Sequence, residues 1–311
     1  MSFFSSQAGK KSLFPRAGIL AALYIPTDAK GRLLKRELGA HLKWLRAQGV
    51  VGVLALGSTG EFPYFDLKEK KALLEIVAEL AAPMTVIAHI TDIRPWAVKE
   101  LGQFARKLGL PGVALMAPSF FKCSQADILA YLLQGADAAE LPVMLYNFPE
   151  LVGNRLGIEI IEQFAKRANM GGIKQSGGEF AYHHELIALG KARDFAVFSG
   201  ADTRIPEVLA LGGAGCIGGM VNFTPEPMVG IFNALRQNPA ADTTAMATCL
   251  KEVATTIDQL TFPLNVLAAM EARGLNPGVP KAVVSKESAR LYRKVVGQLK
   301  PLYRKHGLAR R

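Results

Sequence analysis

Gly171-Gly172-Ile173-Lys174-Gln175-Ser176-Gly177-Gly178 passes from small apolar residues into a lysine, then into a polar, glycine-rich turn. It reads as a short buried strand that ends in a cation. Loss of solvent disfavours an ammonium ion, and the neutral amine is the form that attacks a carbonyl to make a Schiff base. The other reading is a lysine whose stem covers apolar surface while its head reaches water or a carboxylate. The stretch alone leaves both open, so the segments around it decide.

Runs of the same kind recur along the chain. Gly18 to Tyr24, Val51 to Leu56, Met84 to His89, Gly112 to Met116 and Val143 to Asn147 precede it; Phe195 to Ser199 and Gly215 to Gly218 follow. Between them apolar residues return at helical spacing, as in Leu34, Leu38, Leu42 and Leu45, or Leu73, Ile76, Val77 and Leu80. Short continuous apolar strands alternating with amphipathic helices mean parallel strands buried on both faces. Eight such units predict an α/β fold, a (β/α)8 TIM barrel, over residues 17–224. Residues 225–311 show only helical patterning and no flexible linker, and are expected to pack on the barrel as additional C-terminal helices. Residues 1–16 read as a leader without the apolar core of a secretory signal.

Half of the 311 residues are hydrophobic, yet no run is long and uncharged enough for a membrane span. Cys123, Cys216 and Cys249 are well separated and form no CxxC pair, which suits a reducing cytoplasm. The net charge of +11 is local: residues 281–311 hold ten Lys/Arg against the single acid Glu287. No interleaved aromatics or binding motif accompany this charge, so it reads as a solvated helix face and not a nucleic-acid interface. Gly213-Ala214-Gly215-Cys216-Ile217-Gly218 fits GxGxxG but precedes a strand, against dinucleotide binding. His183 and His184 are adjacent, on different helix faces, and no metal is expected.

In this fold the C-terminal ends of the strands build the site. Ser58 and Thr59 follow strand two, His89 ends strand three, and Tyr146 and Asn147 end strand five. Lys174 and Ser176 come from strand six, Ser199 and Asp202 from strand seven. Their convergence on one mouth favours the nucleophile reading of Lys174. Gly57-Ser58-Thr59-Gly60-Glu61 offers hydroxyls and amides suited to a small carboxylate, although the same residues would serve an ordinary strand-to-helix turn. Tyr146 places a phenol on the neighbouring strand, able to shuttle a proton or simply to sit capped in the barrel.

Gly57 to Glu61, Tyr146-Asn147-Phe148-Pro149 and Gly172-Ile173-Lys174 occur in an order and spacing that resembles the dihydrodipicolinate synthase/N-acetylneuraminate lyase family of class I aldolases. The likeness runs from about Gly18 to Leu299. It implies that Lys174 forms an imine with a 2-oxo acid, commonly pyruvate, without a cofactor. It also implies Tyr146 as proton shuttle, Ser58 and Thr59 as carboxylate ligands, and a homotetramer. Ser176, Gly200, Asp202, Thr203, Ile217 and Phe120 are the further substrate-binding residues carried over.

Departures narrow the branch. Synthases have an arginine shortly after the YNxP proline; here Glu150 and Leu151 follow Pro149. They also have a relay tyrosine after strand four, where this chain has Phe120. His89, Gln175 to Gly178 and the run from Tyr146 to Leu151 resemble lyases and 2-keto-3-deoxy sugar acid aldolases, which hold a polyol tail near Gly200-Ala201-Asp202-Thr203. Thr203 stands where sialate lyases often have an acid. The expected activity is a Schiff-base aldolase acting on a 4-hydroxy-2-oxo acid, with pyruvate and an aldehyde as partners. The alternatives are dihydrodipicolinate synthesis, a sugar-acid dehydratase, and a non-catalytic 2-oxo acid binder.

Overall fold

The computed structural model describes residues 14–308. Its strands are β1 (Gly18–Ala22), β2 (Gly52–Ala55), β3 (Thr85–His89), β4 (Gly112–Met116), β5 (Val143–Asn147), β6 (Met170–Gln175), β7 (Ala196–Ser199) and β8 (Gly215–Gly218). Each pairs in parallel with the next, and β8 returns to β1, closing the barrel. Apart from Thr85, every strand residue is buried. The continuous apolar runs in the sequence follow from that: barrel interior takes one face and helices the other.

The helices are α1 (Lys35–Ala47), α2 (Leu67–Ala81), α3 (Pro95–Lys107), α4 (Gln125–Ala139), α5 (Pro149–Val152), α6 (Ile158–Arg167), α7 (Tyr182–Arg193), α8 (Ile205–Leu211), α9 (Pro225–Gln237), α10 (Thr244–Ile257), α11 (Leu264–Ala272) and α12 (Lys286–Lys305). Their starts follow local chemistry. Asp66 and Glu69 form a reciprocal capping box ahead of α2, Ser124 caps α4, and Pro95 opens α3. No helix among the described residues is long and apolar enough to cross a membrane.

Two boundaries differ from the sequence expectation. Helix α9 packs on α8 and β1 and completes the eighth strand–helix unit, so the barrel extends through residue 237 and not 224. Only α10 to α12 are additions. The leader assignment lies largely outside the described residues, but Phe14 within it is 3% exposed and belongs to the core. Its ring closes the barrel floor, lying 2.6 Å from where a Cβ on either Gly112 or Gly171 would sit. Burying a phenylalanine this fully contributes about 1.5–3 kcal/mol, and the two glycines make room for it.

Candidate active site

Strand register decides which group faces the lysine. Val143 on β5 pairs with Met170 on β6, but Met144 pairs with Gly172, leaving Gly171 as a one-residue bulge. Beyond it Tyr146 stands opposite Lys174. Without the extra residue Ile173 would take that place, and alternation would turn the lysine to the other face of the sheet. The bulge itself is fixed by the Phe14 ring beneath Gly171.

Lys174 is 3% exposed. Its Nζ donates to the Tyr146 hydroxyl at 3.1 Å and lies 4.2 Å from the centre of that ring. Among the described residues it makes no ion pair. The Tyr146 oxygen is also 3.0 Å from Ser58 Oγ. With the lysine donating, the phenol proton is free to go to Ser58, and a chain Lys174–Tyr146–Ser58 results. Such a chain joins the amine to a hydroxyl in the turn that suits a carboxylate, the wiring a carbonyl-attacking lysine needs.

The neighbouring loops are clamped around this chain. Gly200 N–H donates to the Gln175 carbonyl at 2.7 Å, and Ser176 N–H to the Asn147 carbonyl at 2.9 Å. Asn147 Nδ2 donates to Gln175 Oε1, and its own Oδ1 accepts from Leu156 N–H. A Cβ on Gly200 would fall 2.0 Å from Ser176 Oγ and 3.1 Å from Lys174 Cε, so only glycine leaves room for both side chains. Glu150, beside the Leu151 that takes the place of a synthase arginine, accepts the Gly178 N–H at 2.7 Å. It therefore ties the loop after β5 to the loop after β6.

His89 supports the site from behind. Its Nδ1 donates to the Leu56 carbonyl at 2.9 Å, while Nε2 has no hydrogen-bond partner among the described residues. The ring packs edge-on to Phe62 and Tyr146, with centroids 4.6 and 6.1 Å apart. Burial, helped by the Lys70 charge, pulls the imidazole down to about 3, so it stays neutral near pH 7. His89 is an apolar wall for the phenol and not a proton donor to substrate.

Ser58, Thr59, Tyr146, Lys174, Ser176, Gly200 and Asp202 all border one cavity of about 270 Å³. That lies at the small end of ligand pockets, which run to roughly 300–1,000 Å³, and suits a small metabolite. Asp202 keeps some residue surface, but its carboxyl end is enclosed: an added Cβ on Gly218 would lie 1.6 Å from Oδ1. Burial pushes this carboxyl up to about 6, against bonds from the Met220 and Gly219 amides and the Lys174 charge. Asp202 thus holds the loop after β8 in place as well as facing the cavity.

Three expected residues are not brought to the cavity. Phe120 is 86% exposed and stacks edge-on against Phe121, outside the mouth. Ile217 is buried in β8 beside Cys216, whose thiol approaches Asp202, so alternation sends Ile217 to the helix layer. Thr203 lies one residue beyond Asp202 at the start of the turn into α8 and does not border the space.

Sequence reasoning missed the outer wall. Ala254, Ile257 and Asp258 come from α10 and its C-terminal end, Phe262 from the connection that follows, and Asn265 and Val266 from the start of α11. The apolar spacing of α10 signalled a packed helix, but nothing in it says that the packing partner is the barrel mouth.

The model of the dihydrodipicolinate synthetase family matches residues 15–299. The chain belongs to that family. Family members act as aldolases and lyases, and this chain is an enzyme of that kind. It is 33% identical over 230 residues to the putative 2-dehydro-3-deoxy-D-gluconate aldolase YagE of Escherichia coli, covering 72% of this chain and 76% of that one. It is 29% identical over 280 residues to a 4-hydroxy-tetrahydrodipicolinate synthase of Methanococcoides burtonii, covering 88% and 95%. The crystal structure of YagE in complex with pyruvate superposes with a TM-score of 0.86 at 29% identity, covering 94% of this family member and 99% of YagE.

Proposed function

We propose that this enzyme is a Schiff-base aldolase that cleaves, or reversibly forms, a sugar-derived 4-hydroxy-2-oxo acid, with pyruvate as the enamine partner. The observation that carries the reading is Lys174: buried, free of any acid partner among the described residues, and bonded to the Tyr146 phenol at 3.1 Å. The amine attacks the 2-oxo carbon, water leaves, and the iminium draws the electrons of the C3–C4 bond, releasing C4 as the aldehyde. Tyr146 accepts the proton of the 4-hydroxyl as that bond breaks and returns a proton to the enamine at C3. Water then hydrolyses the imine and frees pyruvate and Lys174. Ser58 and Thr59 hold the carboxylate. The pyruvate bound in YagE supports the same keto acid here.

Against synthesis of a dicarboxylic product, Lys174 is the only cation bordering the cavity among the described residues. Two arginines that follow β5 and β7 in sequence do not border the cavity and are engaged elsewhere. Arg155 pairs in bidentate fashion with Glu179 at 2.8 Å. Arg204 pairs with Glu207 and lies over the Phe180 ring. A homotetramer in the cytoplasm completes the reading; the exposed pair Phe120 and Phe121 supports a face covered by another subunit. A panel of 2-keto-3-deoxy sugar acids assayed for pyruvate release tests it. Release from at least one is expected, whereas efficient condensation of pyruvate with aspartate semialdehyde and no release from the panel would refute it.

A further inference from the structure

The two ends of the cavity carry opposite charge. The inner end has Lys174 with the hydroxyls of Ser58, Thr59 and Tyr146. The outer wall, from the C-terminal helices, has Asp258 and the amide of Asn265, with Asp202 bordering the same cavity on the Lys174 side. In the pyruvate imine the iminium charge is matched by the pyruvate carboxylate, so a tail that reaches the outer end meets Asp258 and no unmatched cation.

Asp258 sits just beyond α10, exposed on its outer side, and makes no ion pair among the described residues. Asp258 borders the cavity, and desolvation raises its carboxyl from the ordinary value. A carboxylate accepts hydrogen bonds from substrate hydroxyls well and repels a phosphate or a second carboxylate.

We propose that Asp258, with Asp202 behind it, is the residue that selects the aldehyde partner: one ending in uncharged hydroxyls, with phosphorylated and carboxylated tails excluded. This rests on the pyruvate-imine reading of the same site. Selection by repulsion is negative selection, in which the rejected ligand is met by an uncompensated like charge instead of a poorer fit. It places the exclusion on the appended helices, outside the barrel that performs the chemistry.

The test uses the full chain and condenses pyruvate with glyceraldehyde and, separately, with glyceraldehyde 3-phosphate. The parent protein should favour the unphosphorylated aldehyde in kcat/KM by at least about tenfold, the scale of one uncompensated charge at a partly exposed site. Asp258→Asn should narrow that ratio by roughly tenfold, and Asp258→Lys should narrow it further or invert it. Raising ionic strength should narrow the parent's ratio in the same sense, because the charge is partly exposed. An unchanged ratio in both variants, or a parent that prefers the phosphate, overturns the proposal. Borohydride trapping of pyruvate on the parent protein separates the two levels. An intact adduct with an unchanged ratio refutes the selection alone, and absence of the adduct refutes the imine and the selection with it.

Discussion

Tyr146→Phe removes one oxygen and nothing else, and the structure says what that oxygen does. It stands 3.1 Å from Lys174 Nζ and 3.0 Å from Ser58 Oγ, so its loss leaves two buried groups one partner short. A buried group deprived of its partner costs about 1–3 kcal/mol. Both groups border the cavity, where water can replace the hydroxyl, so the total should stay near the lower end. The catalytic cost is larger, because a positioned acid–base group contributes about 10²–10⁴-fold, or roughly 3–5 kcal/mol. Stability should therefore fall by about 1–2 kcal/mol in urea titration, while kcat/KM for pyruvate release falls a hundredfold or more. The loss should appear mainly in kcat, since the phenol acts on the reacting atoms. A variant within threefold of the parent in kcat/KM would refute the Lys174–Tyr146–Ser58 chain as the proton route.

Two further expectations rest on other parts of the fold. Gly171→Ala places a Cβ 2.6 Å from the Phe14 ring, so it should destabilise by about 1–3 kcal/mol; because it disturbs the bulge that aligns Lys174 with Tyr146, kcat should drop too, and Phe14→Leu in the same chain should restore part of both. Full retention of stability and activity in Gly171→Ala alone would contradict the role of the floor. The Asp202 carboxyl sits at about 6, above its ordinary 3.8. The folded state therefore holds a proton that the unfolded chain releases, and stability attributable to this group falls as pH rises from about 4 to about 6. Relative to the parent, Asp202→Asn should gain on the order of 2–3 kcal/mol between pH 4 and pH 7.5. A stability difference that is flat across that range would refute the enclosed carboxyl.

The barrel was legible because its strands are buried on both faces, which leaves uninterrupted apolar runs. β4, β5 and β8 fall at the residues read from the sequence, and β6 ends at Gln175, one residue beyond the Lys174 expected to close it. The inner half of the cavity was legible for the same reason: Ser58, Tyr146, Lys174 and Asp202 all follow directly from strand ends. The closing of the mouth was not. Asp258 and Asn265 reach the cavity only through packing of α10 and α11 on the barrel, a tertiary relation that helical periodicity does not encode. Phe120 shows the converse, since its place in the sequence after β4 suggested a pocket residue, yet a backbone φ of 79° accompanies a ring that faces outward. Phe14 was hidden because Leu13-Phe14-Pro15, between Lys11 and Arg16, is too short an apolar run to carry a periodic signal.

The central claim is a covalent bond between pyruvate and Lys174. Treating the protein with pyruvate and borohydride, then digesting it, measures that bond on a single peptide. The Schiff-base mechanism requires a mass increase equal to reduced pyruvate on the peptide containing Lys174, absent without pyruvate and absent in Lys174→Ala. An unmodified Lys174 alongside a labelled lysine elsewhere, or full activity in Lys174→Ala, would contradict it.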